Sequence, residues 1–148
     1  MLKNIIAIAA LLVTTNVLAT NDLTIEKLAT NKETKASFSK IVKDNHFPSW
    51  ILKGATESEP KEITLKGDRY QIVQGCKPHD CASEQLVVMY SKDKKVMAGV
   101  FSKLNENKNK QELTWFNIND NLSIDGKTVL FAAITGSLDN HPNAFNYN

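Results

Sequence analysis

Six consecutive residues, Cys76-Lys77-Pro78-His79-Asp80-Cys81, bring together a thiol pair, an imidazole, a carboxylate, an ammonium and a proline ring. Cys76 and Cys81 are the only cysteines in the 148-residue chain. An even pair in an oxidising compartment is a disulfide by default. Closing so short a loop restricts the unfolded chain by only about 2 kcal/mol on the loop-entropy account, so global stability is a weak reason for the bridge. A short closed ring is better at holding the shape of what it encloses. Pro78 fixes its own φ and the bridge fixes the ends, so Lys77, His79 and Asp80 are presented from a stiff protrusion. Such a loop loses little entropy on binding. On chemistry alone two readings stand: a recognition loop, or a strand-to-strand turn whose bridge suppresses fraying.

The oxidising compartment is read from the start of the chain. Lys3 supplies a positive n-region, residues 5–13 an apolar stretch, and Val17-Leu18-Ala19 small or aliphatic residues suited to cleavage. An uncleaved anchor needs about 20 apolar residues, and Thr14, Thr15 and Asn16 interrupt the run too early. The expectation is a leader over residues 1–19, cleavage after Ala19, and a single mature domain over residues 20–148. No later run approaches a membrane-spanning length, so no membrane attachment is expected after cleavage. In a bacterial cell the compartment is the periplasm.

Other chemistries are discounted residue by residue. Ser37-x-x-Lys40 and Ser91-x-x-Lys94 match the short serine-lysine motif of penicillin-recognising enzymes, but the companion motifs are missing. The cysteine spacing is not the redox Cys-x-x-Cys, and there is no Gly-x-Ser-x-Gly elbow or phosphate-cradling glycine loop. Of His46, His79 and His141, only His141, with Asp139, has a neighbour at a spacing that suggests zinc, and the pair is weak; no metal or cofactor is expected. The net charge is +2, Arg69 is the only arginine, and no dense basic tract tracks a phosphate backbone, which argues against nucleic acid as a partner. At 42% hydrophobic and 23% charged the chain lies far from the composition of disorder.

The elements that must carry the ring follow from periodicity. Ile25, Leu28 and Ala29 sit at helical spacing, and Thr30-x-x-Glu33 matches a capping box opening a second helix to about Asn45, with Phe38, Ile41 and Val42 as its buried stripe. His46-Phe47-Pro48 ends it. Five strands follow: Ile63 to Leu65, Arg69 to Gln74, Gln85 to Tyr90, Val96 to Ser102 and Leu113 to Asn117. Lys66-Gly67-Asp68 and Lys92-Asp93-Lys94 are too short for parallel crossovers, so the strands form an antiparallel meander. Asn105 to Lys110 reads as an exposed connection. Leu86 to Tyr90 is apolar on both faces, as a central strand covered on each side should be. Ser123 is placed as the cap of a last helix through Val129, Leu130, Ala133 and Ile134, closing near Gly136. The tail from Leu138 onward is expected as ordered coil. The fold class is α+β: a five-stranded antiparallel sheet flanked by helices in one domain.

The ring stands unaltered as the signature of the bacterial inhibitors of vertebrate lysozyme, the Ivy family, and the chain resembles that family over nearly its whole mature length. Asp22-Leu23-Thr24-Ile25, Leu113-Thr114-Trp115-Phe116, the run from Leu122 to Ala133, Thr135-Gly136-Ser137-Leu138 and Asn140-His141-Pro142 carry the rest of the likeness. The resemblance implies a periplasmic, homodimeric inhibitor of c-type lysozyme. It assigns the central role to His79, contacts to Pro78 and Asp80, and the clamp to Cys76 and Cys81; Lys77 ranks lower, near the loop base. A retaining glycosidase of the lysozyme type holds two carboxyl groups about 5 Å apart in its cleft. An imidazole with nitrogens on opposite sides can hydrogen-bond both and occupy the space of a sugar ring. Two rival readings remain open: a small periplasmic hydrolase or metal-dependent enzyme using His79 and Asp80, and a binder of the cell's own lytic transglycosylases.

Overall fold

The computed structural model describes residues 23–147, so the leader assigned to residues 1–19 lies outside it. Three helices come first: α1 (Ile25–Thr30), α2 (Lys35–Asp44) and α3 (Trp50–Lys53). Six strands follow: β1 (Thr56–Glu57), β2 (Lys61–Leu65), β3 (Asp68–Cys76), β4 (Glu84–Ser91), β5 (Val96–Asn105) and β6 (Lys110–Phe116). Then come α4 (Asp125–Ile134) and α5 (Ser137–Asn140). All strand pairs are antiparallel, in the order β1-β3-β4-β5-β6 with β2 also on β3. The α+β class and the antiparallel meander are as expected.

The sheet has a core on each face, and the alternation of β4 shows why. Leu86 and Val88 point to the face covered by α1, α2 and α3, where Ile25, Leu28, Phe38 and Ile51 are almost wholly buried. Val87 and Met89 point to the opposite face, beneath Val129, Leu130 and Ala133 of α4 and Leu138 of α5. A strand whose successive side chains alternate faces can be apolar throughout only if both faces are covered. Gly99 makes the tightest fit: it lies between Val88 and Phe116 in register, and a Cβ there would come 2.3 Å from the Val87 carbonyl and 2.4 Å from the Phe116 ring. That ring in turn packs against Phe47, 5.8 Å away between centroids.

Four expectations are corrected. The sheet has six strands rather than five, because β1 pairs with Gly75 and Cys76 while β2 pairs with residues 68–72 of the same β3 edge. The two are one edge interrupted at Glu59-Pro60, where proline cannot donate to a ladder. A two-residue strand carries no alternation to read. The Thr30/Glu33 capping box does not form. Thr30 is the last residue of α1, whose own cap is Thr24, and α2 starts only at Lys35, while the Glu33 N–H donates to Asn31 Oδ1 at 2.9 Å.

Ser123 is not the cap of α4 either. Its hydroxyl donates to the Asp120 carbonyl at 2.9 Å, closing the preceding 3-10 turn, and Ile124 occupies the cap position without a side-chain bond. The tail is not coil: α5 and a 3-10 turn at Pro142–Phe145 lead to Tyr147, which bridges in parallel to Leu65 on the outer edge of β2. Each of those turns spans four residues, too few for a helical period to show in the sequence.

Candidate functional site

The ring is the connection between β3 and β4, at one end of the central strands. Its root continues the sheet: the Lys77 N–H donates to the Glu84 carbonyl at 3.1 Å, and the Leu104 N–H donates to the Ser83 carbonyl at 2.7 Å. The chain then reverses in a four-residue turn closed by the Asp80 N–H on the Lys77 carbonyl at 3.0 Å. Pro78 takes the second place, where its preset φ is favoured, and His79 takes the third with φ +64°. Glycine or asparagine is the usual residue at such a place, since a side chain in the left-handed region costs on the order of 1–2 kcal/mol. Cys76 and Cys81 are joined with their Cα atoms 4.8 Å apart, as expected for the pair.

The side chains of the ring divide into two groups. The Asp80 carboxylate is gripped: Oδ2 accepts the Ser83 hydroxyl at 2.6 Å and the Lys77 ammonium at 3.1 Å. The Ser83 bond first, and Lys77 second, hold the Asp80 carboxyl below its ordinary range. The same bond to Asp80 raises the Lys77 ammonium above its own ordinary value. His79 is the other group. It is exposed, and among the described residues its imidazole has no hydrogen-bond or ion-pair partner. All four enclosed residues lie on the bridged connection between β3 and β4. Lys77 serves Asp80 rather than standing alone in solvent.

Three residues beneath the ring were not anticipated. Ser83 is one. Glu84, the first residue of β4, accepts the indole N–H of Trp50 at 2.8 Å and has Lys103 at 3.9 Å, which ties α3 and β5 to the loop's exit. Trp50 also rests on Phe101, 6.5 Å between centroids. Only Ser83 had a local signal, a short hydroxyl side chain three residues after an aspartate; the Trp50 to Glu84 contact spans 34 residues and has none. At the ring's entrance Gly75 allows close approach, since a Cβ there would lie 3.1 Å from both Ala55 and Ile25 side chains. The carboxylate of Glu57 beside it accepts the Ile25 and Glu26 N–H groups at 2.6 and 3.0 Å, docking the start of α1 against the same end of the sheet.

The other chemical candidates are dispersed. Ser37 donates to the Thr34 carbonyl at 2.9 Å while Lys40 pairs with Asp44. Ser91 is buried and Lys94 pairs with Asp68 at 3.3 Å. His46 follows α2 and His141 follows α5; no group of three His, Cys, Asp or Glu side chains suited to a metal occurs among the described residues. A groove of about 660 Å³ between α2 and the β4–β5 turn, lined by Lys40, Tyr90, Lys92 and Met97, includes no ring residue and sits at the opposite end of β4. The ring is thus a projection. None of the four grooves lined by described residues at α2, the β2–β3 turn, the β4–β5 turn and α3 includes a ring residue.

Comparison with known proteins agrees with the motif. A family model described as inhibitor of vertebrate lysozyme (Ivy) matches residues 33–120, a span that contains the ring. The inhibitor of vertebrate lysozyme of Escherichia coli K12 is 48% identical over 147 residues, covering 99% of this chain and 94% of that protein. The inhibitor of vertebrate lysozyme of Pseudomonas aeruginosa is 31% identical over 68 residues, 45% of this chain and 44% of that protein. An uncharacterised protein of Yersinia pestis is 41% identical over a stretch of the same length.

Proposed function

The chain belongs to the inhibitor of vertebrate lysozyme (Ivy) family, and on that premise we propose that it blocks a c-type lysozyme by inserting the Cys76–Cys81 ring into the enzyme's cleft, with His79 leading. One observation carries this reading. A histidine occupies the left-handed position of a covalently closed turn, exposed and with its imidazole unpartnered among the described residues. His79 shares its positive φ with five other non-glycine described residues; what sets it apart is that its turn is closed by a disulfide.

The physical sequence of events is short. Disulfide, proline and turn hydrogen bond set the ring's shape before encounter, so little ordering entropy is lost on binding. In the cleft one imidazole nitrogen donates to the ionised carboxylate, and the other accepts from the protonated carboxyl group. The ring fills the space of a sugar, and inhibition is competitive. The full chain carries +2, and loss of Lys3 with the leader leaves +1, so the protein offers a basic enzyme no long-range attraction and local fit dominates.

The leader over residues 1–19 sends the protein to the periplasm, where the disulfide forms; residues 20–148 act as a homodimer, with no reaction of their own. The test is clearing of a bacterial cell-wall suspension by a c-type lysozyme, with and without equimolar mature protein. Protection by the wild type and none by His79→Ala is expected. Equal protection by both removes His79 from the mechanism. Hydrolysis by the protein alone supports an enzyme instead, and capture of a lytic transglycosylase without any effect on lysozyme moves the target to the cell's own enzymes.

A further inference from the structure

The disulfide closes the ring but does not by itself aim it. On the entrance side the ring is held by β3, since Cys76 pairs with Gln85. On the exit side Cys81 and Ala82 are exposed, and the first residue held by the sheet is Ser83, through the Leu104 N–H at 2.7 Å. That bond extends the β4–β5 ladder one step beyond the Glu84 and Lys103 pair. Ser83 is also the residue that reaches back to the tip. Its N–H donates to the Asp80 carbonyl at 3.2 Å and its hydroxyl donates to the Asp80 carboxylate at 2.6 Å. Asp80 is bonded to His79 by the chain and closes the turn in which His79 sits. A continuous line of contacts thus runs from β5 through Ser83 and Asp80 to the backbone of the turn that carries His79.

We propose that Ser83 is a positioning residue for the inhibitory ring: its backbone carbonyl is held by the Leu104 N–H of β5, and its hydroxyl locks the Asp80 carboxylate and so sets the orientation of the turn that presents His79. This rests on the reading of the ring as the lysozyme-binding element. Lys77 is the weaker partner of Asp80, at 3.1 Å against 2.6 Å and on a long flexible side chain. The depressed Asp80 carboxyl agrees, since the Ser83 hydroxyl is its largest cause. Because the cluster is solvent-exposed, its contribution to global stability is small, and its effect is felt in orientation.

The experiment compares mature wild type, Ser83→Ala, Ser83→Thr and His79→Ala in lysozyme inhibition titrations, thermal melts and an NMR titration of the Asp80 carboxyl group. Ser83→Ala should inhibit about 3–30-fold more weakly, the range for losing a hydrogen bond to a charged group with solvent in partial compensation. Its melting temperature should stay within about 2 °C of wild type, and its Asp80 carboxyl should titrate higher, toward the ordinary aspartate value. Ser83→Thr, which keeps the hydroxyl, should restore both inhibition and titration. Full inhibition by Ser83→Ala beside a crippled His79→Ala overturns the positioning role and leaves the ring reading intact. Full inhibition by His79→Ala overturns the ring reading, and this proposal with it. Failure of threonine to rescue, or a loss of inhibition matched by a loss of stability, makes Ser83 merely structural.

Discussion

The central strand β4 ends in two different turns. At its far end, Ser91 to Val96 links it to β5 through Lys92-Asp93-Lys94-Lys95, with Lys95 at φ +52° and Lys94 paired to Asp68. No covalent tie is present there, and the ladder still runs in register from Glu84 against Lys103 to Ser91 against Val96. At the near end the β3–β4 link is bridged, contains a proline, and is knitted by Ser83, Asp80 and Lys77. Two hairpins sharing a strand need the same thing from a turn, which is reversal and register. Both turns carry polar ties, the far one through Arg69–Asp93, Lys94–Asp68 and the Lys94 N–H on Ser91 Oγ, but only the near one adds a covalent bridge and a proline. On the function proposed above, that addition preorganises His79.

That contrast can be broken most sharply at the tip. His79→Ala should weaken inhibition by about 2–5 kcal/mol, the cost of leaving desolvated charged groups unpaired, with no matching loss of stability. His79→Gly separates backbone from imidazole. It suits the +64° φ, should keep or slightly raise the melting temperature, and should inhibit as poorly as the alanine variant. An inhibition titration paired with a melt on each variant decides the matter; a glycine variant that still inhibits puts the activity in the ring's outline and not in its imidazole.

Next in size is the clamp. Replacing Cys76 and Cys81 together by serine should cost about 2 kcal/mol of unfolding free energy at most, while inhibition should fall by more than that loss explains. Denaturant melts alongside inhibition assays measure both. Proportionate losses would make the bridge an ordinary stabiliser and erase the difference between the two turns.

At the far turn Lys95→Gly removes the left-handed cost and should raise stability by about 0.5–1 kcal/mol with inhibition unchanged. Altered inhibition there would show that the two ends of β4 communicate. The smallest effect concerns acid. Asp80 is held below its ordinary range in the folded ring, so the order it contributes is complete above the unfolded aspartate value of about 3.9. That order is lost only as pH falls through the lower folded value. NMR of the free protein should therefore show the Asp80 carboxyl titrating at lower pH than an ordinary aspartate. A midpoint at or above the ordinary value would remove the Ser83 and Lys77 grip.

How much was legible differs between sheet and helices. Alternation and short turns exposed the five longer strands and the double-sided burial of β4, because a period of two is visible in a handful of residues. Helix starts were misread for one reason, at Thr30 and at Ser123 alike. A short hydroxyl side chain can cap a helix, close a turn or end a helix, and which it does depends on the backbone around it. The unexpected β1 edge and the tail at Tyr147 are held by partners distant in the chain: Cys76 lies 20 residues from Thr56, and Asn146, next to Tyr147, accepts from the Thr64 N–H across 82 residues.

Local covalent chemistry and periodicity determined the ring, the pairing of its cysteines, the meander and the apolar central strand, since each is written within a few neighbouring residues. Only the folded molecule decided that His79 adopts a positive φ and that the Ser83 carbonyl is held by Leu104 of β5. It alone decided that Glu84 is braced by Trp50 from a helix 34 residues earlier. Backbone sign and side-chain partnership depend on where the ends of β3 and β4 are held by the two packed faces of the sheet. That placement is a property of the whole core and is not encoded in any short stretch of the chain.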